Sequence, residues 1–329
     1  MHRLNFSSNS LFTGGSIVFS VGISVCVGNR PNLLKKPYQQ TVLFVIVPVI
    51  FNFVVIIKSK TQKTMFNGKT IIITGASSGI GKELALRLSE QKTKLVLAAR
   101  TEKKLLETVE ICEINGSSVL TVKADVSEKK ECKNIVDRTL EKFGGIDILI
   151  NNAGISMWSE FEQVTNLEAM EQIMKINFFG SMYMTHYALS HLIRSKGQIV
   201  GISSLTGKTG VPTRSVYAAS KHAMAGFFDS LRIELKEKGV AVTMIYPGFV
   251  ATEVRERAFD GNGKLLGKSP VKEKEIMSVQ EAVRLMLPVI EKRKRELVMT
   301  TRARIGMWVK LIAPEVTDNI ALKAIRKGK

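Results

Sequence analysis

Cysteine is scarce: the chain has three in 329 residues, Cys26, Cys112 and Cys132. The number is odd and no two share the spacing of metal ligands, so neither a disulfide scaffold nor a metal site is expected, and a reducing compartment is mildly preferred. No period of 20–50 residues recurs and no segment is low in complexity, which sets aside solenoids and other repeat arrays. Acids are outnumbered, 29 Asp and Glu against 48 Lys and Arg, for a net charge of +19. Such an excess favours an anionic cofactor, anionic lipid or nucleic acid. No basic motif is interleaved with aromatics, so no nucleic-acid partner is expected. Apolar residues are plentiful: 45% hydrophobic content is enough to fill one large domain or two small ones.

Residues 1–65 read as a leader. Thr41 to Ile57, TVLFVIVPVIFNFVVII, is 17 residues without a charge, the short end of a membrane-spanning helix. Pro48 and Asn52 weaken the span without forbidding it, and a buried core helix is the alternative. Arg30, Lys35 and Lys36 precede it and Lys58, Lys60 and Lys63 follow, so charge does not decide orientation. Leu11 to Gly28 is apolar but richer in Gly and Ser, a weaker second span forming a hairpin with the first or an uncleaved leader. Asn5-Phe-Ser7 and Asn115-Gly-Ser117 match the glycosylation sequon. The expected location is a membrane, of endoplasmic-reticulum type in a eukaryote.

From Lys69 strands and helices alternate, the texture of an α/β domain with a parallel sheet. Thr70 to Thr74 is a β-branched apolar run, a strand buried on both faces. Gly75-Ala-Ser-Ser-Gly79-Ile-Gly81 follows directly, then a helix over Lys82 to Gln91. Strand, glycine turn and helix together make a dinucleotide fingerprint. Gly75 permits the tight turn, Gly79 lets backbone approach the pyrophosphate, and Gly81 brings helix against strand, while the helix N-terminus faces the phosphates. The next strand, Lys94 to Ala99, lacks the acid that usually ends it in an NAD site and binds the ribose hydroxyl. Ala99 holds that place and Arg100 follows, a cation suited to a 2′-phosphate and hence to NADP(H) rather than NAD(H); a solvated strand-end arginine is the plainer reading. Helices are expected over Leu105–Asn115 and Glu131–Phe143, and strands over Val119–Lys123 and Ile146–Ile150. Asp125 is placed to accept from the adenine amino group or to cap a helix beginning at Ser127. Asn151-Asn152-Ala153-Gly154 ends a strand; its amides can tie neighbouring strands together and its small residues leave room for a nucleotide, where a plain turn is the alternative.

Gly197 to Ser204 reads as a strand with Ser204 at its end, and Ser215 to about Glu237 as a helix. On that helix Tyr217 and Lys221 are one turn apart on the same face. A phenol is a poor base at neutral pH; an ammonium one turn away favours its phenolate. Ser204 could then hold a carbonyl or hydroxyl for the phenol to protonate or deprotonate. A surface Tyr–Lys pair would look the same in isolation; the upstream glycine turn argues for the functional reading.

The set Thr74-Gly75-Ala-Ser-Ser-Gly79-Ile-Gly81, Asn151-Asn152-Ala153-Gly154, Ser204, Tyr217-x-x-x-Lys221 and Pro247-Gly248 resembles the short-chain dehydrogenase/reductases in order and spacing, over about residues 66–299. The N-terminal apolar segment makes the chain similar to membrane-anchored hydroxysteroid-dehydrogenase-like members, the dehydrogenase/reductase member-seven group among them. The resemblance implies a single Rossmann-type, doubly wound, parallel seven-stranded sheet with helices on both faces, a nicotinamide cofactor and oxidoreductase chemistry. It implies Tyr217 as acid/base, Ser204 as the group orienting the carbonyl, Lys221 acting on Tyr217 and the nicotinamide ribose, and Asn177 holding a water that links Lys221 to solvent. It implies cofactor contacts from Gly75, Ser77, Ser78, Gly79, Ile80, Gly81, Arg100, Asp125, Asn152, Ala153, Gly154, Tyr217, Lys221, Pro247, Gly248 and Thr252. Ser78 departs from the pattern, since NADP members often carry a basic residue there.

Strands are expected at Ala241–Tyr246 and Leu297–Met299 and a helix at Val279–Glu291. Thr252 to about Lys272, rich in Gly and charge, fits a mobile substrate lid or a disordered loop. Residues 300–329 extend past the minimal domain. There, apolar Ile305–Ile312 with Trp308, among many Lys and Arg, suits a segment lying on anionic lipid, or a helix packed on the domain or on a second subunit of a homodimer. The expected activity is NADP(H)-dependent interconversion of carbonyl and alcohol on a lipophilic substrate: a steroid, retinoid, fatty-acyl or sphingoid-like carbonyl. A non-catalytic nucleotide-binding scaffold and a soluble 3-ketoacyl-type reductase are the alternatives; intact Asn177, Ser204, Tyr217 and Lys221 argue against the scaffold.

Overall fold

The computed structural model describes residues 6–13, 16–23, 65–269 and 276–328. The chain divides into two compact units, Met1–Gln62 and Lys63–Lys329. In the first, Phe6–Thr13 and Ser16–Ile23 pair as an antiparallel hairpin in the register Phe6↔Ile23 to Thr13↔Ser16. The portion of the apolar stretch from Leu11 that is described is therefore strand, not a spanning helix. The expected span at 41–57 lies outside the described residues. Among the described residues no helix is long and apolar enough to cross a membrane.

The second unit is built on a parallel sheet of strands β1 (Thr70–Thr74), β2 (Lys94–Ala99), β3 (Ser118–Lys123), β4 (Ile148–Asn151), β5 (Gln198–Ile202), β6 (Ala241–Tyr246) and β7 (Glu296–Val298). Their order is β3-β2-β1-β4-β5-β6-β7. The unbroken apolar runs are explained by burial on both faces. Ile71 and Ile73 point into one apolar cluster with Leu84, Leu88, Leu105 and Met286, while Ile72 between them joins Ile135, Met184 and Phe228 in another. Helices α1 (Gly79–Ser89), α2 (Glu102–Ile114) and α7 (Val279–Glu291) cover the first face. Helices α3 (Lys129–Phe143), α5 (Gly180–Arg194) and α6 (Ser215–Glu234) cover the second. Cys112 and Cys132 lie buried in opposite clusters and cannot meet.

β1 pairs with β2 on one side and β4 on the other, so the winding reverses between β1 and β4. In such sheets a crevice opens at the carboxyl ends of the strands where the order reverses. α4 (Leu167–Met174) leads into a single π-helical turn, Lys175–Phe179, before α5. The tail forms α8 (Thr301–Ile312) and α9 (Pro314–Gly328). Thr300 caps α8 by accepting from the Ala303 amide at 3.2 Å, and Ala303 and Met307 pack against the core. Residues 300–329 thus belong to the same compact unit as the sheet. The opposite side of α8 leaves Ile305, Trp308, Leu311 and Ile312 exposed. The loop expected to be a lid is tied down in its middle: Phe259 donates its amide to the Ser156 carbonyl (2.9 Å) and accepts from the Trp158 amide (2.8 Å). The reason is Phe259 itself, whose ring packs with Met157, Met170 and Ile173. The second sequon is also engaged: Asn115 donates its side-chain amide to Ser89 at 2.8 Å and Ser117 is buried.

Candidate active site

A cleft of about 1360 Å³ opens along the carboxyl edge of the sheet. Its first wall is the turn after β1. Gly75 has φ +65°, and a Cβ there would stand 2.8 Å from Ala153 Cα. A Cβ on Gly79, at φ +54°, would lie 3.0 Å from Thr252 Cγ2; one on Gly81 would collide with the Gly75 carbonyl oxygen and the Asn152 amide. The turn is therefore a cradle that side chains would fill. α1 begins at its far side with Ser78 as an N-cap that makes no capping bond and with no acid in the first turn. Amide donors at that end are thus left for an anion. A dinucleotide pyrophosphate fits this cradle on size and on charge.

The Asn-Asn-Ala-Gly segment ties β4 to β1. Asn152 donates its side-chain amide to the Thr74 carbonyl (2.9 Å) and the Gly75 carbonyl (3.2 Å). Thr74 Oγ1 accepts from the backbone amides of Asn152 (3.0 Å) and Ala153 (3.1 Å). Asn151 is buried and donates instead to Thr185 Oγ1 at 3.1 Å. The double asparagine is more than a turn: one side chain holds the crevice floor and the other anchors it to α5.

At the other end of the cleft, β5 and α6 bring three groups together. Ser204 follows β5; its Oγ accepts from the Thr206 amide at 3.2 Å, which leaves its own hydrogen free to donate. Tyr217 lies in the first turn of α6, half-buried, with its ring 5.9 Å from Lys221 Nζ. Lys221 is 3% exposed; it donates to the Ile202 carbonyl at 3.0 Å. Burial pulls its pKa down to about 8, so at neutral pH it still carries most of its charge. Asn177 sits in the π-helical turn, an element frequent at functional sites, and is fully buried. Its Oδ1 accepts from the Ile155 amide (2.9 Å) and its Nδ2 donates to the Ile155 carbonyl (3.0 Å) and Ser220 Oγ (2.9 Å). It therefore clamps the loop after β4 onto α6, one residue from Lys221. A Cβ on Gly154 would stand 3.1 Å from Asn177 Oδ1 and 3.5 Å from Lys221 Nζ.

Of the residues expected to form the site, Ser77, Ser78, Ile80, Arg100, Asp125, Asn152, Ala153, Gly154, Ser204, Tyr217, Lys221, Pro247, Gly248 and Thr252 line the cleft with Gly75 and Gly79. Gly81 and Asn177 stand behind its wall. The family model for short chain dehydrogenase matches residues 69–263, more than half of the chain and all of the residues just placed.

The chain belongs to the short-chain dehydrogenase/reductase family. It is thereby an oxidoreductase of CH–OH groups that uses a nicotinamide cofactor. The chain is 35% identical over 295 residues to 11-beta-hydroxysteroid dehydrogenase A of Sesamum indicum, covering 87% of this chain and 84% of that one. It is 40% identical over 222 residues to 11-beta-hydroxysteroid dehydrogenase-like 4A of Arabidopsis thaliana, covering 67% and 74%. Among solved structures it resembles an alcohol dehydrogenase from Thermococcus sibiricus complexed with 5-hydroxy-NADP, with a TM-score of 0.62, 26% identity and coverage of 70% and 95%. It shares the fold of a short chain dehydrogenase/reductase from Burkholderia phymatum in complex with NAD, with a TM-score of 0.68, 23% identity and coverage of 77% and 96%.

In this dehydrogenase the adenosine end differs from expectation in detail. α3 starts at Lys129, not Ser127. Asp125 closes a turn on Ser127, accepting from its amide (2.9 Å) and hydroxyl (2.8 Å). Its other oxygen is 3.8 Å from Arg100 Nη1. Arg100 is 59% exposed, so that pair is loose, worth less than about 1 kcal/mol, and open to a competing anion. Arg257 was missed in the sequence, yet it lines a recess together with Ser78 and Arg100. Lys104 and Arg257 share one carboxylate, Glu253, so the surroundings stay positive. Nothing local marks Arg257; it reaches the recess from a loop more than 150 positions away along the chain.

Proposed function

We propose that the enzyme is an NADP(H)-dependent carbonyl reductase or alcohol dehydrogenase for a lipophilic substrate, with Tyr217 as its acid/base. The carrying observation is that Ser204, Tyr217 and Lys221 face the same cleft as the glycine cradle. The cofactor, when bound, supplies or takes the hydride. Gly75, Gly79 and the open N-terminus of α1 hold its pyrophosphate. Pro247, Gly248 and Thr252 border the nicotinamide end, with Thr252 held against Gly79. In the reducing direction Ser204 Oγ donates to the carbonyl oxygen as charge grows there, and the Tyr217 hydroxyl donates the proton. The Lys221 ammonium stabilises the phenolate that remains, and Asn177 fixes the backbone on which Lys221 and Tyr217 ride. NADP(H) is favoured over NAD(H) by Ala99 in place of an acid, by exposed Arg100, and by Arg257, which supplies from a loop the second cation that Ser78 lacks.

Lipophilicity is supported by α8. One side of this helix lines the cleft through Ala303, Gly306 and Met307; the other exposes Ile305, Trp308, Leu311 and Ile312 beside Arg304. A surface of that kind suits an anionic bilayer, from which an apolar substrate would enter. The hydroxysteroid-dehydrogenase relatives point the same way.

The test is oxidation of NADPH and of NADH against a panel of steroid, retinal and long-chain ketones and aldehydes, wild type beside Tyr217→Phe. Turnover with an NADPH preference that disappears with the hydroxyl is expected; no turnover on any compound overturns the reading. Flotation with phosphatidylserine vesicles, for the full chain and for one starting at Met65, tests the membrane. If both stay out of the vesicle fraction, membrane association is wrong.

A further inference from the structure

We propose that the substrate end of the cleft holds a built subsite for an oxyanion, centred on the Arg214 guanidinium, and that the preferred carbonyl compound carries a carboxylate or a phosphate ester a few bonds from the reacting carbon. The subsite stands on its own geometry; that its occupant is the substrate rests on the hydride-transfer reading above.

Arg214 is 6% exposed and lines the cleft. Its Nη1 donates to Ser156 Oγ (3.0 Å) and to the Met157 carbonyl (3.2 Å). Its Cζ lies 4.5 Å from the Trp158 ring centroid and 5.1 Å from that of Tyr217. The fork is thus held rigid by one nitrogen and two rings. Its Nε and Nη2 donors meet no acceptor among the described residues, and no carboxylate there stands within ion-pair distance of it. A guanidinium does not escape by losing its proton, so this charge is desolvated with no anion beside it among the described residues. A second guanidinium, Arg255, is 7% exposed and lines the same cleft. Burial lowers the Arg214 pKa, Tyr217 opposes that, and the charge of Arg255 adds a smaller push downward. The Nε–Nη2 edge of Arg214, under cover beside the acid/base, is the bidentate half of a guanidinium–oxyanion fork. Holding the loop after β4 would need only Nη1 and the Trp158 stack. The wider cleft agrees: Asp125, at the adenosine end, is the one acid among the described lining residues. A field of that sign draws anions inward.

Two matched pairs test the subsite: 3-oxodecanoate against its methyl ester, and hydroxyacetone phosphate against hydroxyacetone. The chain has two tryptophans, so a Trp308→Phe background leaves Trp158, stacked on Arg214, as the reporter. Binding is read from its fluorescence in the presence of NADP+, which cannot reduce the ketone, and turnover from NADPH oxidation, in Arg214, Arg214→Gln and Arg214→Lys forms. In at least one pair the anionic member is expected to bind tighter by about tenfold or more, with KM carrying the difference in turnover. Arg214→Gln should abolish the preference, and Arg214→Lys, which keeps charge but loses the fork, should leave part of it. Which pair shows the preference names the oxyanion. Equal binding within both pairs, or a preference untouched in Arg214→Gln and Arg214→Lys alike, overturns the proposal. If Trp158 reports the anion preference but no ketone is reduced, the subsite stands and the hydride-transfer reading falls.

Discussion

The two ends of the cleft are built by opposite means. The dinucleotide end works by leaving atoms out: Gly75, Gly79 and Gly81 stand where a Cβ would meet backbone, Thr252 or the Asn152 amide. The substrate end works by burying long charged side chains, Lys221, Arg214 and Arg255, none more than 7% exposed. Empty space at a tight turn is a local property of a few consecutive residues. Buried charge depends on what distant segments fold over it. The first end therefore suits a constant ligand, while the second can be respecified by whichever loop covers it.

The largest test of this division is Tyr217→Phe. It removes one oxygen, and kcat for carbonyl reduction should fall by about 10²–10⁴-fold, while dinucleotide affinity by fluorescence titration falls by no more than about tenfold, the loss of the single contact expected from that hydroxyl. Equal loss in both would mean that the ends are not separable. Gly75→Ala attacks the other end. With φ +65° and Ala153 Cα in the way, a loss of about 1–3 kcal/mol is expected, read as a thermal midpoint lower by several degrees and weaker cofactor binding. Gly248→Ala is the control, since its Cβ would meet only Leu205 Cδ1 at 3.5 Å, and should melt within about a degree of wild type.

Lys221 sharpens the comparison through pH. Its folded pKa, lowered by burial to about 8, lies below the unfolded lysine value of about 10.4. Between those values the unfolded chain binds more protons, so this group's contribution to stability rises with pH across that window. Activity should move the opposite way: kcat for reduction falls above about pH 8 as the ammonium is lost, and Lys221→Arg, which keeps its charge, shifts that alkaline limb upward. A limb that stays in place in Lys221→Arg would assign it to another group. The smallest effect is expected at Arg100→Ala. Its side chain is more than half exposed, so NADPH should weaken by a few-fold to about tenfold with NADH nearly unchanged. An equal change for both coenzymes would remove Arg100 from the 2′-phosphate.

Much of the sheet was legible because its signals are local. Thr70–Thr74, Lys94–Ala99 and Ala241–Tyr246 are strands from end to end as read, since short apolar runs ended by Gly, Arg or Pro mark their own limits. Two helices begin earlier than their apolar period shows: α1 at Gly79 rather than Lys82 and α2 at Glu102 rather than Leu105. Their first turns hold glycine or charge and show no apolar period. The π-helical turn that carries Asn177 has no sequence signature of its own. Of the loop expected as a lid or as disorder over Thr252 to about Lys272, residues 270–272 lie outside the described residues, and Phe259 reads as one more loop aromatic until Met157, Met170 and Ile173 are set around it.

By itself, the amino-acid sequence determined the alternation of strand and helix, the glycine cradle, and the one-turn spacing of Tyr217 and Lys221. Each follows from backbone sterics or helical period within a few neighbouring residues. Only the tertiary structure decided that Arg214 and Arg255 are buried together, that Arg257 joins Ser78 and Arg100, and that Asn177 clamps Ile155 to Ser220. These are contacts across tens of residues or more, and no local periodicity records which charges the fold will cover.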